Sequence, residues 1–60
     1  MNRKQFVRKI QDAGWSFYAE GGEHTLYVKK GTKFAVPRHR EVKPGVVRSW
    51  EKVNKELDSE

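Results

Sequence analysis

The spacing of apolar residues changes twice along this chain, and those two changes restrict its fold more tightly than any single motif does. Between Asn2 and Ala13 the apolar positions Phe6, Val7, Ile10 and Ala13 recur at i, i+1, i+4 and i+7, the pattern of one helical face. Asn2 followed three residues later by Gln5 has the form of an N-terminal cap, and Gly14 stands where a left-handed residue stops a helix. A helix over 1–13 follows. From Trp15 the period falls to two. Trp15, Phe17 and Ala19 alternate with Ser16, Tyr18 and Glu20; Leu26 and Val28 alternate with Thr25, Tyr27 and Lys29; Phe34 and Val36 share one side of a third run. Gly21-Gly22 and Gly31-Thr32 divide these runs into a three-stranded meander over 15–37, and Pro37 marks an end or an edge. After Pro44-Gly45 the helical period returns in Val46, Val47, Trp50, Val53 and Leu57, which predicts a second helix over 44–57.

The expected fold is therefore α+β, with element order α-β-β-β-α and a three-stranded antiparallel sheet carrying both helices on one face. Sixty residues allow a single domain, 1–60, near the lower limit for folding without staples. Its expected core is Phe6, Val7, Ile10, Trp15, Phe17, Leu26, Val28, Phe34, Val36, Val46, Val47, Trp50, Val53 and Leu57. With no cysteine there is neither disulfide nor thiolate zinc site, and two histidines with scattered carboxylates give no metal-ligand spacing, so no metal or other cofactor is expected. No apolar run approaches the roughly 20 residues that span a bilayer, and the N-terminus lacks the apolar stretch of a signal peptide. A cytoplasmic protein without a membrane partner is the expectation.

Charge narrows the choice of partner. Thirteen Lys and Arg against eight Asp and Glu leave +5, a strong field on so small a body and one that favours a polyanion. The excess lies in 1–13, with four basic residues against one acidic, and in 33–48, with five against one, whereas 49–60 has two against four. Pro37 to Lys43, Pro-Arg-His-Arg-Glu-Val-Lys, has no apolar period and reads as a basic loop between the last strand and the last helix. Solvated helix faces explain either basic segment taken alone.

His24 is the residue type best suited to moving protons near neutral pH, and it stands directly behind a glycine turn at the mouth of the second strand. Strict alternation puts it on the same side as Leu26 and Val28, the side expected to face the core. Either a bulge re-aims the ring toward solvent, or the imidazole caps the core and bonds to a backbone group.

This element order is also that of double-stranded-RNA-binding domains, which contact RNA largely through shape and phosphate. Three blocks then resemble the HicA family of toxin-antitoxin systems. Gly14-Trp15 is similar to the Gly-Trp that opens the family's first strand. Gly22-Glu23-His24-Thr25-Leu26-Tyr27 resembles its Gly-Ser-His-x-x-(Phe or Tyr). Val36-Pro37-Arg38-His39 with Lys43-Pro44-Gly45-Val46-Val47-Arg48-Ser49 is similar to its Val-Pro-x-His and its Pro-Gly-Thr-Leu-x-Ser helix entrance. Two departures stand out: Glu23 replaces the usual serine, adding a carboxylate beside the histidine, and Val46-Val47 replaces Thr-Leu.

The resemblance implies a toxin of a type II toxin-antitoxin system, a metal-independent endoribonuclease that cleaves mRNA with a single catalytic histidine, His24, and is neutralised by a HicB-like antitoxin. RNA carries its own nucleophile in the 2′-hydroxyl, so such a protein needs a positioned proton carrier and cations around the phosphate. Lys29, Arg38, Arg40 and Lys43 are the candidate backbone contacts, and Tyr27 or Tyr18 the candidate base-stacking rings. His39 is a candidate second proton carrier or a phosphate contact. Two other readings remain open: a double-stranded-RNA-binding module that grips without cutting, and a basic domain that only receives an acidic protein.

Overall fold

The computed structural model describes residues 1–59; Glu60 lies outside the described residues. Its order is α1 (Arg3–Asp12), β1 (Ser16–Glu20), β2 (His24–Lys29), β3 (Thr32–Pro37) and α2 (Pro44–Asp58). The three strands form an antiparallel sheet in the order β1-β2-β3. This is the α-β-β-β-α arrangement expected from the periodicity. The local signals act as read: Asn2 Oδ1 accepts from the Gln5 N–H at 2.8 Å, and Gly14, at φ +99°, turns the chain out of α1.

The second hairpin has a turn of the expected length at a shifted position. Lys30 (φ 50°) and Gly31 (φ 79°) form a two-residue turn with both centres left-handed, so Lys29 pairs with Thr32. The turn therefore sits one residue earlier than Gly31-Thr32. In the first hairpin neither Gly21 nor Gly22 is left-handed. That turn is closed instead by the Gly21 N–H donating to His24 O at 2.8 Å.

The face of β2 is the main correction. Leu26 and Val28 were expected inside, yet the buried residues of this strand are Thr25 and Tyr27, the latter only 6% exposed. Tyr27 pairs with Phe34 and Thr25 with Val36, and direct partners share a face, so the odd-numbered residues of β2 meet the helices. Leu26 and Val28 lie half-buried on the open face. Phe17, also expected in the core, is 56% exposed at the sheet edge, where its ring meets Tyr27 edge-on at 6.3 Å. A bulge at Tyr18 separates the pairs Phe17–Tyr27 and Ala19–Leu26, which moves Ala19 to the open face and brings Glu20 opposite Thr25.

Inside, Phe6 and Ile10 from α1, Trp15, Tyr27, Val36, Val42, and Trp50 and Leu57 from α2 make the core. Aromatic rings dominate it. Phe6 meets Trp50 edge-on at 5.8 Å and Trp15 meets Phe34 edge-on at 6.4 Å; each such side chain contributes roughly 2–3 kcal/mol by burial. The Trp15 indole N–H donates to Asn54 Oδ1 at 3.0 Å, whereas the buried Trp50 N–H finds no acceptor among the described residues, a cost of about 1–3 kcal/mol.

Two tethers hold the ends of the sheet. At the Lys29 end, the ammonium donates to Ala13 O (2.6 Å), Asp58 Oδ1 (2.8 Å) and Asn54 Oδ1 (3.3 Å), joining β2 to the C-terminal ends of both helices. At the opposite end, the basic loop after β3 is anchored by its main chain. Asn2 and Glu41 form an antiparallel bridge, the Arg3 N–H donates to Arg40 O and the Val42 N–H to Met1 O, both at 2.8 Å. Val42 itself is buried in the core.

Candidate active site

The first hairpin, the end of β3 and the 38–43 segment meet at the His24 end of the sheet. His24 pairs with Pro37 across the ladder, and its side chain is exposed on the open face with Leu26 and Val28. Alternation therefore predicts its neighbours correctly; what it does not reveal is that their side is the uncovered one. No bulge at His24 is needed to free the ring.

His24, Pro37, His39, Glu41, Lys43 and Val46 line one groove of about 490 Å³, within the ~300–1,000 Å³ of ordinary small-ligand sites. The groove thus collects both histidines of the chain, one from a strand and one from a loop. Lys43 is also the N-cap of α2, where it supplies no side-chain cap, so the positive end of that helix adjoins the groove beside Val46.

Beneath the hairpin runs a polar chain. Arg3 donates from Nε to Pro37 O (3.2 Å) and from its terminal nitrogen to Thr25 Oγ1 (3.0 Å), and the Thr25 hydroxyl donates to Glu20 Oε1 (3.2 Å). Glu20 also pairs with the Arg38 guanidinium, which donates to Gly21 O at 2.7 Å. The Arg38 backbone N–H bonds to Glu23 O at 3.3 Å. These links fix the hairpin that presents His24, and they involve Arg3, Thr25 and Glu20, which no motif singles out. Only the β1 bulge, invisible to strict alternation, brings Glu20 into reach.

Not every expected contact residue joins this end. Lys29 was expected to hold RNA, but its side chain is only 14% exposed and its ammonium is held by three acceptors at the far end of β2. Tyr27 was expected to stack on a base, but its ring is buried on the helix-covered side, so it offers no free face. Tyr18 keeps its ring half exposed, with Lys33 Nζ at 4.5 Å from the ring centre. Arg38, His39, Arg40 and Lys43 are all exposed, although Arg38 is shared with Glu20 and Arg40 lines a different groove.

An exposed strand-end histidine beside a basic, backbone-pinned loop can be weighed against known families. The model of the HicA toxin of bacterial toxin-antitoxin systems matches residues 3–55, most of the chain. The chain belongs to the HicA toxin family. No curated protein and no solved structure gives a significant match. Membership in the HicA family carries with it an antitoxin as partner. No helix among the described residues is long and apolar enough to cross a membrane, and no group of three His, Cys, Asp or Glu among them could hold a metal ion. In this HicA chain, Glu23 is exposed at the turn next to His24.

Proposed function

We propose that this chain is an endoribonuclease that cleaves mRNA in its two-histidine groove. The observation that carries this reading is that His24 and His39, far apart in sequence, line one open groove together with Lys43. Transesterification of RNA needs two proton movements on opposite sides of one phosphorus. One group takes the proton of the 2′-hydroxyl as that oxygen attacks. Another gives a proton to the departing 5′-oxygen. The products are a 2′,3′-cyclic phosphate and a 5′-hydroxyl end. An exposed strand-borne imidazole and a loop-borne one in the same groove can divide these tasks, with His24 as the principal proton carrier and His39 as the other. Lys43 and the adjacent positive end of α2 supply charge for the phosphorane oxygens.

The antitoxin in this reading is a HicB-like protein that covers the groove. Purified protein is expected to shorten single-stranded mRNA in EDTA, His24→Ala to abolish both cutting and growth arrest with the fold intact, and the antitoxin to stop the wild-type reaction. RNA that is shifted on a gel but stays whole would identify a binding module in place of a nuclease.

A further inference from the structure

A second concavity adjoins the histidine groove. It measures about 440 Å³ and is lined by Asn2, Arg3, Lys4, Arg40 and Glu41. Glu41 lines both, and consecutive residues divide between them, His39 in one and Arg40 in the other. Three cations against one carboxylate make the second concavity basic. Its charge comes from side chains: the Asn2 carboxamide oxygen is occupied by the Gln5 N–H, and the Arg3 guanidinium by Pro37 O and Thr25 Oγ1. Lys4 and Arg40 differ from Arg3. Both are exposed, and neither makes an ion pair or side-chain hydrogen bond among the described residues.

Of the other cations near this end of the sheet, Arg38 is matched by Glu20 and Arg3 by its two acceptors, while Lys43 belongs to the histidine groove. Lys4 and Arg40 are set on backbone that is held in place. The Arg3 N–H bonds to Arg40 O, tying the start of α1 to the loop, so the two side chains emerge from one bridged unit. An ammonium and a guanidinium carried on held backbone at one concave surface match a phosphodiester, the guanidinium by its two-pronged donor geometry.

Resting on the ribonuclease reading above, we infer that this concavity is a second phosphate subsite, which holds the RNA strand beyond the bond being cut. The strand passes from the histidine groove over Glu41, and the next backbone phosphate that reaches Lys4 and Arg40 is bound there. Glu41, whose carboxylate the Met1 ammonium meets at 3.8 Å, separates the two concavities, so a sugar or base lies above it and the two phosphates are held to either side. Length-dependent affinity follows. A dinucleotide that spans only the scissile bond cannot fill the subsite, whereas a longer strand can.

The test uses the Lys4→Ala/Arg40→Ala double variant beside Lys52→Ala/Lys55→Ala, which removes the same charge from exposed positions of α2. For an RNA of about ten nucleotides the first pair is expected to raise KM about tenfold or more with kcat unchanged and to leave dinucleotide cleavage as it was. It is also expected to flatten the log–log salt dependence of binding by about 0.7 for each phosphate no longer neutralised. The second pair is expected to change little. Binding is measured in the His24→Ala background, where RNA stays whole, so the subsite is decided even if wild-type protein proves not to cut. Equal losses from the two pairs would reduce the effect to net charge and overturn the subsite. Unchanged RNA binding with weakened antitoxin binding would also overturn it, assigning the patch to the protein partner.

Discussion

The two ends of β2 are built on opposite principles. At the Lys29 end the polar groups are matched within the molecule: one ammonium satisfies a helix-terminal carbonyl and two side chains of α2, and the Trp15 indole joins the same Asn54. At the His24 end the polar chain from Arg3 to Arg38 supports the hairpin from below, while His24, His39, Lys43, Lys4 and Arg40 are left open to solvent. The first end stabilises the fold and leaves little free for a ligand. The second keeps its chemistry available because the backbone, and not those side chains, carries the structure. Substitutions at the two ends should therefore separate activity from stability.

The largest expected effect is at His24. His24→Ala should lower RNA cleavage by roughly 10²–10⁴-fold while moving unfolding free energy by no more than about 0.5 kcal/mol, measured by single-turnover cleavage and urea denaturation. A large loss of stability would break the separation. His39→Ala should cost less, about 10²-fold in the same single-turnover assay. An undiminished rate would leave the second proton transfer to another group. Lys29→Met should do the reverse of both: a loss of about 2 kcal/mol in denaturation, from acceptors left unpaired at the helix ends, with the cleavage rate of the folded fraction unchanged.

The smallest effect is a pH dependence at the locked end. The hydrogen bond from Lys29 holds the Asp58 carboxyl below its ordinary range, with burial opposing the shift and the charges of Lys29 and Lys30 assisting it. A carboxyl lowered in the folded state adds stability that is present above its unfolded value and is lost as pH falls through the folded one. The small stability difference between wild type and Asp58→Asn should therefore be present at neutral pH and fade below about pH 4. A difference that persists in acid would mean the carboxylate charge is not what matters.

How much of this is legible in the sequence depends on which interaction fixes each feature. Helix limits are readable because they rest on local groups, the Asn2 cap, the Gly14 stop and the Pro44 start. The inward face of β2 is easily mistaken because Leu26 and Val28 are more apolar than Thr25, Tyr27 and Lys29, and alternation says which residues share a side without saying which side is covered. A signal is nevertheless present. Any two-residue turn between β2 and β3 pairs odd-numbered residues of one with even-numbered residues of the other, so Phe34 and Val36 must share a face with Tyr27 and Thr25. The odd-numbered residues can turn inward because the hydroxyl of Thr25 and the ammonium of Lys29 each find partners there.

The site is readable in part, through the position of His24 and the basic loop. What lies beyond reach is long-range: the bulge that brings Glu20 to Arg38, and the pairing of Asn2 with Glu41 that sets Lys4 beside Arg40. Val42, a lone apolar residue among charges, is the one visible hint that the loop is anchored.

That anchoring has an evolutionary reach. Because the path of the segment after β3 is set by main-chain bonds to Met1 and Arg3 and by a single buried valine, the identities of the residues at 40 and 43 are nearly free of folding constraint. A lineage can rewrite which antitoxin it answers to by exchanging those side chains one at a time while the scaffold stays as it is.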